Sequence, residues 1–183
     1  TWNGISLPWM AFGYGVSLTP LQQLTFYNAV ANNGEMVKPS FINSIGSIGE
    51  KPIYKIDREI IMPSISSRET LKSVKKMLLN VVEKPWGTAN NIYDKDLKIA
   101  GKTGTAQVDY NKDETQYISS FVGYFPADDP KYSSIVVIHK PKKSEGYYGN
   151  IVAAPVFKKV AKKIINNIPI EIEINTNKLT VVF

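Results

Sequence analysis

Lys102, Thr103, Gly104 and Thr105 stand side by side inside the stretch LKIAGKTGTAQVDY, residues 97–110. An ammonium, two hydroxyls and a bare glycine placed together can cradle a phosphate, lie on an ordinary surface strand, or form one wall of a catalytic cleft. A phosphate loop needs another glycine five residues before Gly101, so that backbone amides wrap the anion, and it needs to open a helix. That position is Asp96, whose carboxylate repels the ligand, and the residues after Thr103 continue as a strand. The nucleotide reading fails on both tests.

Read as a strand, the stretch puts Thr103 and Thr105 on one side and Lys102 and Gly104 on the other. Interior glycine weakens a strand and marks close approach of another backbone or of a ligand. Hydroxyls on one side of an edge strand, a positive charge beside them and an open glycine between suit a small anionic, peptide-like ligand. An exposed strand carrying a chance Lys-Thr-Gly tripeptide remains the plainer alternative.

The rest of the composition narrows the field. At 183 residues, 43% apolar and 21% charged, the chain has the make-up of a folded globular domain. Its net charge of +6 comes almost wholly from lysine, since the arginines are Arg58 and Arg68. Bidentate phosphate forks are therefore scarce, and the paired lysines lack interleaved aromatics, which speaks against nucleic acid. Cysteine is absent and His139 is the single histidine, so no thiolate chemistry and no histidine metal cluster is expected, and no cofactor is called for. No apolar run approaches the ~18 residues of a membrane span. Thr1 is not an initiator residue, and the chain reads as a piece of something longer.

The elements that must position the tetrad follow from local signals. The first eighteen residues read as a loop packed against something else. Thr19 and Pro20 open a helix that Gly34 stops. Residues 35 to 63 hold one or two short strands. Ser66 and Glu69 form a capping box for a second helix, on which Leu71, Val74, Leu78, Val81 and Val82 recur at helical spacing as far as Glu83. The stretch at 97–110 is then followed by YISSFVGYFPA and KYSSIVVIHKP, two more strands joined by the turn DDPK, so the expected fold is α/β (α+β) with an antiparallel sheet packed by helices. A last helix over about 152–165 should bury Val156, Phe157, Val160 and Ile164 and leave its lysine pairs to solvent. The tail, residues 168–183, alternates Ile and Glu and reads as a hairpin or linker that could cover the sheet edge.

AGKTGTAQ, followed by SSFVGYFPADDP, IVVIHKP and VAAPVFK and preceded by FGYGVSLTPLQQLTFYNAVANNG and WGTA, resembles the C-terminal part of the transpeptidase domain of penicillin-binding proteins, closest to the class B, cell-division type. The resemblance runs in order over about residues 8–165, with the domain portion taken as 1–167. In that superfamily Lys-Thr-Gly is the third motif, after Ser-x-x-Lys and Ser-x-Asn. It implies a partial serine β-lactamase-like fold and an enzyme that crosslinks peptidoglycan through a serine acyl-enzyme. Lys102 would face the nucleophile's cleft and help move protons. Thr103 and Thr105 would bind the carboxylate of a D-alanyl-D-alanine end or of a β-lactam, the Thr105 N–H would be an oxyanion donor, and Gly104 would let the substrate backbone pass.

The resemblance also implies what to leave out. Ser73 and Lys76 satisfy Ser-x-x-Lys, yet they lie opposite the apolar stripe of the second helix and should face water. Tyr148-Gly149-Asn150 resembles the Tyr-x-Asn of some β-lactamases but follows Lys-Thr-Gly instead of preceding it, so it reads as a loop entering the last helix. His139 has no acidic or serine partner near it in sequence. The nucleophile is therefore expected upstream of this chain, and the chain alone is expected to be inactive. The implied partners are stem peptides, β-lactams, the upstream half of the same domain and other cell-division proteins. The implied location is the extracytoplasmic face of the bacterial membrane, with an N-terminal anchor outside this sequence. A serine β-lactamase, a penicillin sensor and a non-catalytic scaffold are the alternatives.

Overall fold

The computed structural model describes residues 2–13, 15–42, 44–46, 51, 53–108 and 115–167. In chain order the elements are α1 (Ser6–Ala11), α2 (Pro20–Ala31), β1 (Met36–Val37), β2 (Ser44–Ile45), β3 (Tyr54–Lys55), β4 (Ile60–Met62), α3 (Arg68–Glu83), β5 (Ala100–Val108), β6 (Gln116–Phe125), β7 (Tyr132–His139), α4 (Gly149–Val152) and α5 (Ala154–Asn166). Short 3-10 turns occupy Asn90–Ile92 and Lys143–Glu145.

The three long strands form one antiparallel sheet in the order β5-β6-β7. Its register places Thr103 opposite Phe121 and Phe121 opposite Val136, with Lys102, Val122 and Ile135 on the alternate row. Side chains that share a row across strands share a face. On the Thr103 face Phe121 and Phe125 meet Phe157 of α5 edge to face, with ring centroids 4.9 and 5.7 Å apart. On the Lys102 face Ala100 and Tyr124 pack with Val30 and Ala31 of α2. Helix α3 lies against β5 and serves both layers, Leu78 joining the α2 side and Val82 the α5 side. The sheet is thus sandwiched between helices, as the sequence patterning anticipates. Residues 36–62 form two small antiparallel pairs, β1 with β4 and β2 with β3.

The cap of α2 follows its sequence signal. Thr19 Oγ1 accepts the Gln22 N–H at 3.2 Å and Gln22 Oε1 accepts the Thr19 N–H at 2.8 Å, which satisfies orphan amides reciprocally.

Several expectations are corrected. Residues 6–11, expected within a loop, form α1, where the Ser6 hydroxyl accepts the Asn3 backbone N–H and donates to Asn3 Oδ1 at its start, and none of the helical residues is buried. Helix α3 is capped by Ser67, not Ser66: Ser67 Oγ accepts from the Thr70 N–H at 3.2 Å, while the Ser66 carbonyl accepts from the Ser64 hydroxyl. The last helix is divided at Ala153, and its buried face is Ala154, Phe157 and Ala161, with Ile164 partly buried. Val156 and Val160 are 41% and 40% exposed. Small side chains let the helix axis approach the sheet closely enough for Phe157 to reach Phe121 and Phe125, and that phase turns the valines outward. Of the α5 lysines, Lys159, Lys162 and Lys163 are exposed as expected, while Lys158 is half-buried, and Lys158 and Lys162 both pair with Asp94. The tail at 168–183, with its expected hairpin and edge cover, lies outside the described residues.

Candidate functional site

The tetrad Lys102, Thr103, Gly104 and Thr105 lies in the middle of β5. Lys102 and Thr105 are exposed, and Thr103 and Gly104 are half-buried. Strand β5 is at the border of its sheet, and among the described residues no strand pairs with its outer side.

One backbone bond determines which of its groups face outward. The Lys140 N–H donates to the Tyr117 carbonyl at 2.9 Å, so odd-numbered residues of β6 turn their N–H and C=O toward β7 and even-numbered ones toward β5. Through the register, Lys102 and Gly104 spend their backbone groups on β6. Thr103 and Thr105 therefore present theirs at the open border. The Lys102 ammonium curls to that same side and donates to the Thr103 carbonyl at 2.8 Å. A positive charge, a free-facing Thr105 amide and two hydroxyls are gathered along one border.

Both hydroxyls are held from behind. Thr105 Oγ1 accepts the Gly149 N–H at 3.0 Å. Thr103 Oγ1 lies 3.2 Å from Thr88 Oγ1. Gly149 can reach Thr105 only because it lacks a side chain: a Cβ there would stand 2.5 Å from the Gly104 carbonyl oxygen and 3.2 Å from the Gly104 nitrogen. Gly104 has a local reason as well, since its missing Cβ would run into the Ser120 hydroxyl across the ladder. The loop ahead of Gly149 is anchored to β6 by the Ser119 hydroxyl, which donates to the Tyr147 carbonyl, and by Tyr147 stacked on Tyr117 at 4.0 Å. Hydrogen bonding to Tyr147 raises the Tyr148 phenol above its ordinary pKa.

On the α5 side, an ionic clasp holds the segment between α3 and β5. Asp94 Oδ2 is 2.9 Å from Lys162 Nζ and 3.4 Å from Lys158 Nζ. The Lys162 bond, helped by the Asp96 N–H and by Lys158, holds the Asp94 carboxyl at about 2 against the pull of its burial. Lys158 also donates to the Tyr93 carbonyl at 2.9 Å, and the Asn91 side-chain amide donates to the Asn150 carbonyl at 2.7 Å.

The look-alike motifs fall where water reaches them. Ser73 and Lys76 are both exposed on α3. His139 is exposed at the end of β7. Tyr148-Gly149-Asn150 is the entrance to α4, with Gly149 its first residue. Among the described residues no group of three or more His, Asp or Glu side chains could hold a metal, and no helix is long and apolar enough to cross a membrane.

Sequence reasoning singled out the tetrad but not Thr88 as a site residue, nor the Gly149 amide. Thr88 is part of the quoted WGTA, yet its meeting with Thr103 is a contact through space that no local spacing announces.

Residues 1–162 match the family described as the penicillin binding protein transpeptidase domain. The chain belongs to that family, and its likeness to class B transpeptidase domains holds over most of its length. It is 32% identical over 166 residues to the peptidoglycan D,D-transpeptidase FtsI of Buchnera aphidicola, covering 90% of this chain and 27% of that protein. It is 36% identical over 149 residues to the stage V sporulation protein D of Bacillus subtilis, covering 80% of this chain and 22% of that protein. The chain thus spans about a quarter of the length of these curated relatives. Among solved structures, the apo transpeptidase domain of Burkholderia pseudomallei penicillin-binding protein 3 superposes with a TM-score of 0.71 at 27% identity, over 93% of this chain and 49% of that one. Penicillin-binding protein 3 of Mycobacterium tuberculosis in complex with aztreonam gives 0.73 at 28% identity, over 92% and 40%.

Proposed function

We propose that this chain is the substrate-binding wall of a peptidoglycan D,D-transpeptidase. The observation that carries the reading is the open border of β5, where the Lys102 ammonium, the Thr103 and Thr105 hydroxyls and the Thr105 N–H are grouped. A D-alanyl-D-alanine end has the complementary groups: an extended backbone to lie along a strand border, a carboxylate to receive the hydroxyl protons, and a carbonyl whose oxygen becomes negative on attack. A serine from elsewhere in the intact protein would add to the penultimate D-alanine carbonyl, passing its proton to a neighbouring base. The Thr105 N–H would stabilise the resulting oxyanion, a donor of the kind worth ~2.7–4 kcal/mol of transition-state stabilisation. Collapse expels the terminal D-alanine with a proton on its nitrogen, and the ester is resolved by an amine of a second stem peptide.

A β-lactam offers the same carboxylate and a strained amide, and the related Mycobacterium tuberculosis protein is known in complex with aztreonam and with ampicillin. The reading carries its location and partners with it: the extracytoplasmic face of the bacterial membrane, the remainder of the transpeptidase domain, and other division proteins. The FtsI and stage V sporulation names of the relatives support a role in cell division.

The test is acylation by a fluorescent penicillin. The intact protein that carries this chain should take one label, Lys102→Ala should slow labelling by at least about tenfold, as expected for losing a hydrogen bond between charged groups worth roughly 1.5–3 kcal/mol, and the present chain alone should take none. Covalent label on this chain alone, or an intact protein indifferent to Lys102→Ala, would overturn the proposal.

A further inference from the structure

Thr88 stands outside the tetrad, on the loop that follows α3, and that loop is firmly held. The Gly87 N–H donates to the Lys84 carbonyl at 2.8 Å, the Ala89 N–H to the Val81 carbonyl at 2.9 Å, and the Asn90 side-chain amide to the Val82 carbonyl at 3.0 Å. Ala89 is fully buried, and Gly87 lies so close to the helix that a Cβ would stand 2.5 Å from the Asn80 carbonyl oxygen. The exposed Thr88 side chain is thereby delivered to one place, 3.2 Å from the Thr103 hydroxyl.

A hydroxyl carries a single proton, so two facing hydroxyls can be arranged in two ways: Thr88 donates to Thr103, or Thr103 donates to Thr88. A carboxylate can only accept. When one binds at the β5 border it selects the arrangement in which Thr103 gives its proton outward, and the Thr103 oxygen must then receive from Thr88. The second hydroxyl of the border has the same construction: Thr105 Oγ1 accepts the Gly149 N–H from the rear, which leaves its own proton for the front. Successive hydrogen bonds of this kind polarise one another, so each outward donor is strengthened by the group behind it.

We propose that Thr88 is a positioning residue for the substrate carboxylate, holding the Thr103 oxygen so that the Thr103 proton points to the open border of β5. This rests on the transpeptidase reading above and adds to it a residue that makes no contact with the substrate itself.

A double-mutant cycle in the intact protein tests it, with benzylpenicillin as the probe and pre-covalent affinity and acylation rate measured separately. Thr88→Val should weaken pre-covalent binding roughly three- to tenfold, the size of one lost hydrogen bond between neutral groups, and leave the limiting acylation rate little changed. Thr88→Ser, which keeps the hydroxyl, should restore most of the affinity. Thr88→Val combined with Thr103→Val should bind no worse than Thr103→Val alone, because Thr88 acts only through Thr103. Losses that multiply, a Thr88→Val protein that binds like wild type, or a serine variant that fails to rescue would each overturn the role of Thr88. A wild-type protein that is never acylated would instead overturn the transpeptidase reading, and this inference with it.

Discussion

The Gly149 N–H meets the Thr105 hydroxyl at 3.0 Å, binding the entrance of α4 to the strand that carries the candidate site. Gly149 is able to do this because its α-carbon rests on the β5-β6 ladder, over the Gly104 and Ser120 peptide groups. Strand, helix entrance and hydroxyl orientation are therefore parts of one arrangement.

Gly149→Ala should break that arrangement. The added methyl meets the backbone oxygens of Gly104 and Ser120, which are held in the ladder and cannot swing aside as a side chain would. Forcing α4 off the sheet should cost about 1–3 kcal/mol, the usual range for overpacking. A fall in melting temperature together with slower penicillin acylation is the expected result. An alanine variant with the wild-type melting temperature would show that the contact is not as close as described.

Asp94 should contribute to the acid limb of the stability curve. Its carboxyl is held at about 2 in the folded protein, chiefly by Lys162, against 3.8 as its ordinary value. A depressed carboxyl contributes its full stabilisation above the unfolded value, near pH 4, and loses it as pH falls through about 2. In urea unfolding, Asp94→Asn should be less stable than wild type at pH 6, and the difference should shrink between pH 4 and pH 2. A difference that stays constant with pH would remove Asp94 as its source.

Phe157 and Val160 separate apolar character from burial on α5. Phe157 is 1% exposed and touches two phenylalanines of β6, so Phe157→Ala should cost about 3–5 kcal/mol. Val160 is 40% exposed, and Val160→Ala should stay within about 0.5 kcal/mol of wild type. Chemical denaturation of the two variants decides this, and equal losses would contradict the described phase of the helix.

Those two residues also mark where the sequence could be read and where it could not. The start of α2 was legible because Thr19 and Pro20 are neighbouring local signals, to which the structure adds Gln22 as the second half of a capping box. The three strands were legible from alternation and short links. The phase of α5 was not, because Val156 and Val160 outrank Ala154 and Ala161 in hydrophobicity, whereas close approach to the sheet demanded the smaller side chains. At the site, Lys102 to Thr105 could be picked out by residue type. Their presentation at an open border depends on the register with β6, and their rear partners Thr88 and Gly149 meet them only once the chain is folded.

Ser73 and Lys76 supply a control for motif reading. Both are exposed on α3, so Ser73→Ala and Lys76→Ala in the intact protein should leave penicillin labelling and melting temperature at their wild-type values. Loss of labelling in Ser73→Ala alone would make it the nucleophile and contradict the geometry of the helix.

The central claim is that the border of β5 receives the carboxylate of a peptide-like acid. The most direct measurement is a crystal structure of the intact protein acylated by benzylpenicillin. The account predicts the penicillin carboxylate at hydrogen-bond distance, about 2.5–3.0 Å, from both the Thr103 and Thr105 hydroxyls, with the ester carbonyl oxygen at the Thr105 N–H. A carboxylate bound elsewhere, with residues 102–105 paired to another strand, would contradict it.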